Sequence, residues 1–166
     1  MPGWLLIVPR RPVVSLRGLT PAERDELYQL HCLIRERQKA FGGQTFAFEH
    51  GSAELGSAAG CGVDQAHLHL VPLDFDLVHL ATSATDGIDW TMLPNAPLMS
   101  LPSHGEYIAV WEVGRNDGAI GRVQAPTSQW MRRLIAIELG VEEEWNYRTN
   151  PHLANIQKTV ELMTTK

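Results

Sequence analysis

Apolar and polar positions along the chain fall into segments with two different periods. Residues 4–8 (WLLIV) are a short apolar run ended by Pro9, which predicts a strand. Thr20-Pro21-Ala22-Glu23 then reads as a helix start, with Thr20 as cap, Pro21 at the first helical position and Glu23 completing a capping box. Apolar Leu27, Leu30, Cys32 and Ile34 follow, and the opposite side is charged, so the helix runs to about Phe41, where Gly42-Gly43 stops it. Residues 44–49 (QTFAFE) alternate and predict a second strand. After a loop rich in Gly, Ser and Ala over 51–62, alternation returns over 63–73 and predicts a third.

The second half of the chain has weaker periods. Residues 82–105 contain several glycines and prolines and predict an ordered long loop, or lid, that packs through Trp90, Met92 and Leu93. Residues 107–113 (YIAVWEV) and 119–123 flank Asn116-Asp117-Gly118, a hairpin signal. A helix is predicted over 128–139, with Ser128 as cap and Gly140 as stop, and Asn150-Pro151 opens a last helix to about Met163. Hairpins and neighbouring strands without regular crossovers favour an antiparallel α+β fold over a doubly wound sheet.

Composition narrows the picture. With 166 residues and 44% hydrophobic content the chain suits one domain. A net charge of -5 without a basic tract argues against nucleic acid as a partner. Cys32 and Cys61 form neither a disulfide framework nor a zinc cassette, which points to a reducing, cytoplasmic home. The apolar run at the start is too short to span a membrane and lacks the order of a signal peptide.

The chemistry gathers in the third strand, GVDQAHLHLVP. Period two puts Gln65, His67, His69 and Val71 on one face and Asp64, Ala66, Leu68 and Leu70 on the other. Imidazole serves as nucleophile or acid–base near neutral pH. A glycine-rich turn can hold an anion with its amides, for which Ser57, Gly60 and Gly62 are candidates. Glu49 and His50 end the strand before that loop, where His50 equally suits an exposed turn. Of the arginines in SQWMRR, a solvated face is the simpler reading, yet Gln129 and Arg133 reach a phosphate if this helix meets the sheet edge. Trp111, Trp130 and Trp145 read as core or interface anchors, and Cys61 as a small buried residue. A rival use of the His67/His69 pair is metal binding, with Glu49, His50 or His79 as third ligand.

GVDQAHLHLVP resembles the signature of the histidine triad family of nucleotide hydrolases and transferases, three histidines alternating with apolar residues. The resemblance also takes in Pro2-Gly3, Ile7-Val8-Pro9-Arg10-Arg11, Leu19-Thr20-Pro21-Ala22-Glu23 and the approach AGCGVD, and covers roughly residues 2–73. It implies an antiparallel sheet of five strands or slightly more with packed helices. Residues 1–80 would be the core with the histidine motif, and 81–166 an extension with the hairpin and two C-terminal helices. It further implies a homodimer, no cofactor and no metal. The substrate would be a nucleotide or nucleotide-like molecule, either a dinucleoside polyphosphate or a nucleoside phosphoramidate, processed through a nucleotidyl-histidine. By position His67 is the nucleophile, His69 the histidine at the scissile phosphate, and Gln65 stands where the family has its first histidine. Trp4 stands where another active-site histidine is usual, and family members generally have further chain before Pro-Gly. These departures leave open a nucleotide-binding relative without catalysis.

Overall fold

The computed structural model describes residues 1–57, 64–84, 87–95, 97–125 and 127–164. Its strands are β1 (Leu5–Ile7), β2 (Gln44–Gly51), β3 (Leu68–Leu73), β4 (Ile88–Leu93), β5 (Tyr107–Glu112) and β6 (Gly118–Val123). Its helices are α1 (Pro21–Gln38), α2 (Leu77–Ser83), α3 (Trp130–Glu138) and α4 (Leu153–Thr164). The strands form one six-stranded sheet in the order β1-β3-β2-β5-β6-β4, with every pair antiparallel. The fold is therefore α+β. Among the described residues no helix is long and apolar enough to cross a membrane.

Alternation decides what each face of the sheet meets. Ala47, Leu68, Leu70, Ala109 and Trp111 point to one side and pack with Leu16, Leu19 and Leu27, the last from α1. Phe46, Phe48, Val71, Ile108 and Val110 point to the other, against Leu77 and Ala81 of α2 and Trp130, Met131 and Ile135 of α3. Both faces are thus covered, and all six residues of β3 are buried.

The capping box opens α1 as its sequence predicts. Thr20 Oγ1 accepts from the Glu23 amide at 3.3 Å, and Glu23 accepts from the Thr20 amide at 2.7 Å. A turn over Lys39–Phe41 closes it, followed by Gly42 and Gly43 at φ of 77° and 68°, a region that favours glycine.

Three expectations change. Residues 82–105 are not one loop: α2 ends at Ser83, β4 occupies Ile88–Leu93 and pairs along its length with β6, and Pro97–Met99 forms a short 3-10 turn. β4 alternates between half-buried and exposed positions over Ile88–Thr91, but its short length and the glycine and prolines around it hide the period. The third strand begins at Leu68, not at 63, leaving 64–67 as an irregular approach with a bend at Gln65. The helix after the hairpin begins at Trp130, with Gln129 as its cap at φ 57° and no side-chain capping bond, in place of Ser128.

The C-terminal helix fastens the N-terminus over the sheet. Thr159 Oγ1 accepts from the Gly3 amide at 2.8 Å, and Arg37 donates to the Met163 carbonyl at 2.6 Å. Gln38 donates to the carbonyls of Gly3 at 2.6 Å and Leu70 at 3.2 Å. These bonds fix where Trp4 and β1 lie against β3.

Candidate active site

β1 and β3 put their side chains in step. Leu6 stands opposite His69 in the register, so Trp4, Leu6 and Val8 share the face of His67 and His69. The Trp4 indole N–H donates to His69 Nδ1 at 2.9 Å. An acceptor Nδ1 has no hydrogen, so the proton of the neutral ring sits on Nε2. Across the sheet, Phe48 pairs with His69 and stacks on it, 4.3 Å between centroids and 9° between planes. His69 is only 4% exposed. Burial, then the neighbouring charges of His67, Arg132 and His50, hold its imidazole well below the usual range.

His67 is half-buried, 4.9 Å from His69 between ring centroids. Its Nδ1 lies 2.8 Å from the backbone carbonyl of Gln65. A carbonyl can only accept, so Nδ1 carries the hydrogen and Nε2 keeps a lone pair. The orienting contact thus comes from the backbone of Gln65. Its side-chain amide instead donates to the carbonyls of Pro9, 2.9 Å, and Arg11, 3.2 Å, tying down the segment that leaves β1.

Both rings line a cavity of about 250 Å³. Leu6, Val8 and Tyr147 give it apolar walls, and Gln65 and Arg132 complete it. The Arg132 guanidinium lies over the Trp4 ring at 4.4 Å and over the Tyr147 ring at 5.2 Å. A larger cavity of about 410 Å³, between the exit of β1 and α1, has no histidine in its lining and offers none of this chemistry.

The remaining candidates are dispersed. His50 shares the histidine face, and its Nε2 is buried without a hydrogen-bond partner among the described residues. Burial first, then the charge of His67, pushes its imidazole down to about 4. Glu49 is on the opposite face of β2, fully enclosed, where the Leu16 amide donates to it at 2.7 Å and the Tyr107 hydroxyl also donates. Burial pushes its carboxyl up to about 7 despite Tyr107, Leu16, Arg17 and Arg24. Ser57 donates to Glu106. Gln129 is buried, and its Oε1 has no partner among the described residues. Arg133 stacks over Trp145 at 3.5 Å and donates to the Ser128 carbonyl at 3.2 Å, outside the lining of the histidine cavity. Gly60, Cys61 and Gly62 lie outside the described residues.

The site therefore brings together His67, His69 and Gln65 with Trp4, which the family resemblance had placed at an active-site position, and adds Leu6, Val8, Arg132 and Tyr147, which sequence reasoning did not select. The available signal was the period-two phase of Trp4, Leu6 and Val8, readable only once the pairing of β1 with β3 is known. Among the described residues no three His, Cys, Asp or Glu side chains gather closely enough to hold a metal ion. Compared with family models and with curated proteins, the chain matches none.

Proposed function

We propose that this chain is an enzyme of the histidine triad kind, hydrolysing or transferring at a nucleotide phosphorus through a covalent intermediate on His67. The observation that carries the reading is the 2.8 Å contact of His67 Nδ1 with the Gln65 carbonyl, because it commits the lone pair to Nε2 on a ring that lines a cavity. The resemblance of GVDQAHLHLVP to the family signature supports it.

In the first step the Nε2 lone pair forms an N–P bond, and the bond from phosphorus to the leaving group breaks with its electron pair; an oxygen departs as the oxyanion, and a nitrogen departs as the amine after taking a proton from water. The carbonyl of Gln65 stabilises the positive charge that the ring acquires. In the second step water, or another acceptor hydroxyl, attacks phosphorus. The N–P electrons return to Nε2, and the acceptor's proton goes to solvent. His69 contributes an Nε2–H as a neutral donor. Leu6, Val8 and Tyr147 offer apolar surface for a nucleoside.

The alternative is a nucleotide-binding relative without turnover, favoured by the burial of His69 and by Gln65 at the first histidine's position. Incubation with a panel of dinucleoside polyphosphates and nucleoside phosphoramidates decides between them. Product release that depends on His67 supports the enzyme; binding by calorimetry without product supports the relative.

A further inference from the structure

Resting on that reading of His67, we propose that Arg132, laid over Trp4 and Tyr147, selects substrates by the charge of the group that departs, with Trp4 as a positioning residue for His69. The favoured leaving group is one that departs as an oxyanion, such as a phosphate or a nucleotide. The disfavoured one is an amine that must be protonated to leave.

His69 is in no position to act as an acid. A group that protonates a leaving amine must carry an acidic hydrogen near neutral pH. His69 has its Nδ1 occupied as an acceptor of the Trp4 indole N–H, at 2.9 Å. To become an imidazolium it must add a hydrogen at that nitrogen, where an N–H already points, and the two donors would then face each other. It would also have to charge while 4% exposed and stacked on Phe48. Its only hydrogen, on Nε2, belongs to a neutral imidazole, which donates a hydrogen bond but does not release a proton at neutral pH. Histidine at 69 is present, but burial and the neighbouring charges of His67, Arg132 and His50 keep it neutral, and Trp4 locks which nitrogen holds its hydrogen.

Arg132 supplies a fixed positive charge instead. A guanidinium is charged at every accessible pH and cannot serve as an acid. It stabilises negative charge without a proton transfer. Arg132 lines the same cavity as His67 and His69. Its guanidinium is 4.4 Å from the Trp4 ring centroid and 5.2 Å from that of Tyr147, so two aromatic faces restrict where the charge can sit. The Trp4 ring thereby does two things: its N–H fixes the His69 tautomer, and its face carries the arginine. A site with a fixed cation and a locked neutral imidazole is built for departure of an anion. Cleavage of a phosphoanhydride balances without help: the N–P bond forms, the P–O bond breaks onto oxygen, and the phosphate leaves as it stands.

The test measures kcat/KM of the full chain on a dinucleoside tetraphosphate and a nucleoside 5′-phosphoramidate of the same base, adenine and guanine in turn. The wild-type chain is expected to prefer the anhydride by about 100-fold. In Arg132→Gln the anhydride rate falls about 100-fold, and the preference falls at least ~10-fold. Arg132→Lys, which keeps the charge, retains most of the preference. Because each ratio is taken on one preparation, the fraction of folded protein cancels. Trp4→Phe keeps an aromatic face but loses the N–H donor. It is expected to keep the preference, because Arg132 still lies on an aromatic face, and to replace the single His69 tautomer by a mixture in two-bond ¹H–¹⁵N spectra; an unchanged single tautomer overturns the positioning role of Trp4. A wild-type preference for the phosphoramidate, or an unchanged ratio in Arg132→Gln, overturns this inference while a nucleotidyl adduct on His67 leaves the proposed function standing. Absence of any adduct and any turnover overturns both.

Discussion

The indole N–H of Trp4 donates to Nδ1 of His69 across 2.9 Å, joining the residue before the first strand to the imidazole at the heart of the third. This bond has a spectroscopic signature. In two-bond ¹H–¹⁵N spectra His69 should show a protonated Nε2 and an unprotonated Nδ1, with no change as pH passes through 6.5. In Trp4→Phe the fixed tautomer should give way to a mixture of the two neutral forms, still held neutral by burial. A wild-type His69 titrating near 6.5 would contradict the assignment.

Glu49 makes stability depend on pH in an unusual direction for a carboxylate. Its folded-state value, about 7, lies above the ordinary 4.5. The folded chain therefore holds a proton that the unfolded chain releases. The associated stability is complete below pH 4.5 and is lost as pH rises through 7. Gln in its place does not titrate, keeps an oxygen for the Leu16 amide and offers an N–H to the Tyr107 oxygen. Glu49→Gln should gain on the order of 3 kcal/mol relative to wild type between pH 4.5 and pH 8, read by urea unfolding at both. A constant difference would refute the buried neutral acid.

His50 acts with the opposite sign. Its imidazole is pushed from 6.5 down to about 4, so the folded chain keeps it neutral while the unfolded chain takes up a proton. Stability from this group is present above pH 6.5 and is lost as pH falls through 4. His50→Leu, which cannot charge, should therefore gain on wild type by up to about 3 kcal/mol as pH drops from 7.5 to 4. The measurement is the difference between the two unfolding free energies at each pH. Parallel curves would show that His50 takes up its proton over the same pH range in the folded and unfolded chains.

Gly51 tests the packing that separates Glu49 from the histidine face. A Cβ built there would meet Tyr107 ring carbons at 2.1 Å, and that ring is buried and bonded to Glu49. Gly51→Ala must displace the ring, at a cost of about 1–3 kcal/mol or more. A thermal unfolding midpoint equal to wild type would mean that Tyr107 has room to move.

Much of this was readable in the chain because local rules wrote it. Thr20 to Glu23 carry their capping box within four residues, and Asn116-Asp117-Gly118 marks the turn between β5 and β6. Alternation assigned His67 and His69 to one face and Leu68 and Leu70 to the other, as the two core clusters show. What was not readable depends on pairing between distant segments. β4 is recognised only beside β6, because six residues set among Gly87, Pro94 and Pro97 are too short a run to stand out from a loop. Trp4 finds His69 only once β1 is laid on β3 and α4 has fastened Gly3. The choice between Arg132 and Arg133 follows from packing of α3, where neighbours differ by about 100° around the axis. One faces the histidine cavity and the other Trp145.

The central claim is that His67 Nε2 bonds to phosphorus. Its most direct test is intact-mass and peptide mass spectrometry after rapid quenching with each nucleotide substrate. The account expects one nucleotidyl group per chain, mapped to His67, appearing no later than product and absent from His67→Ala, which folds but does not turn over. Turnover without an adduct, or equal rates in wild type and His67→Ala, would contradict it.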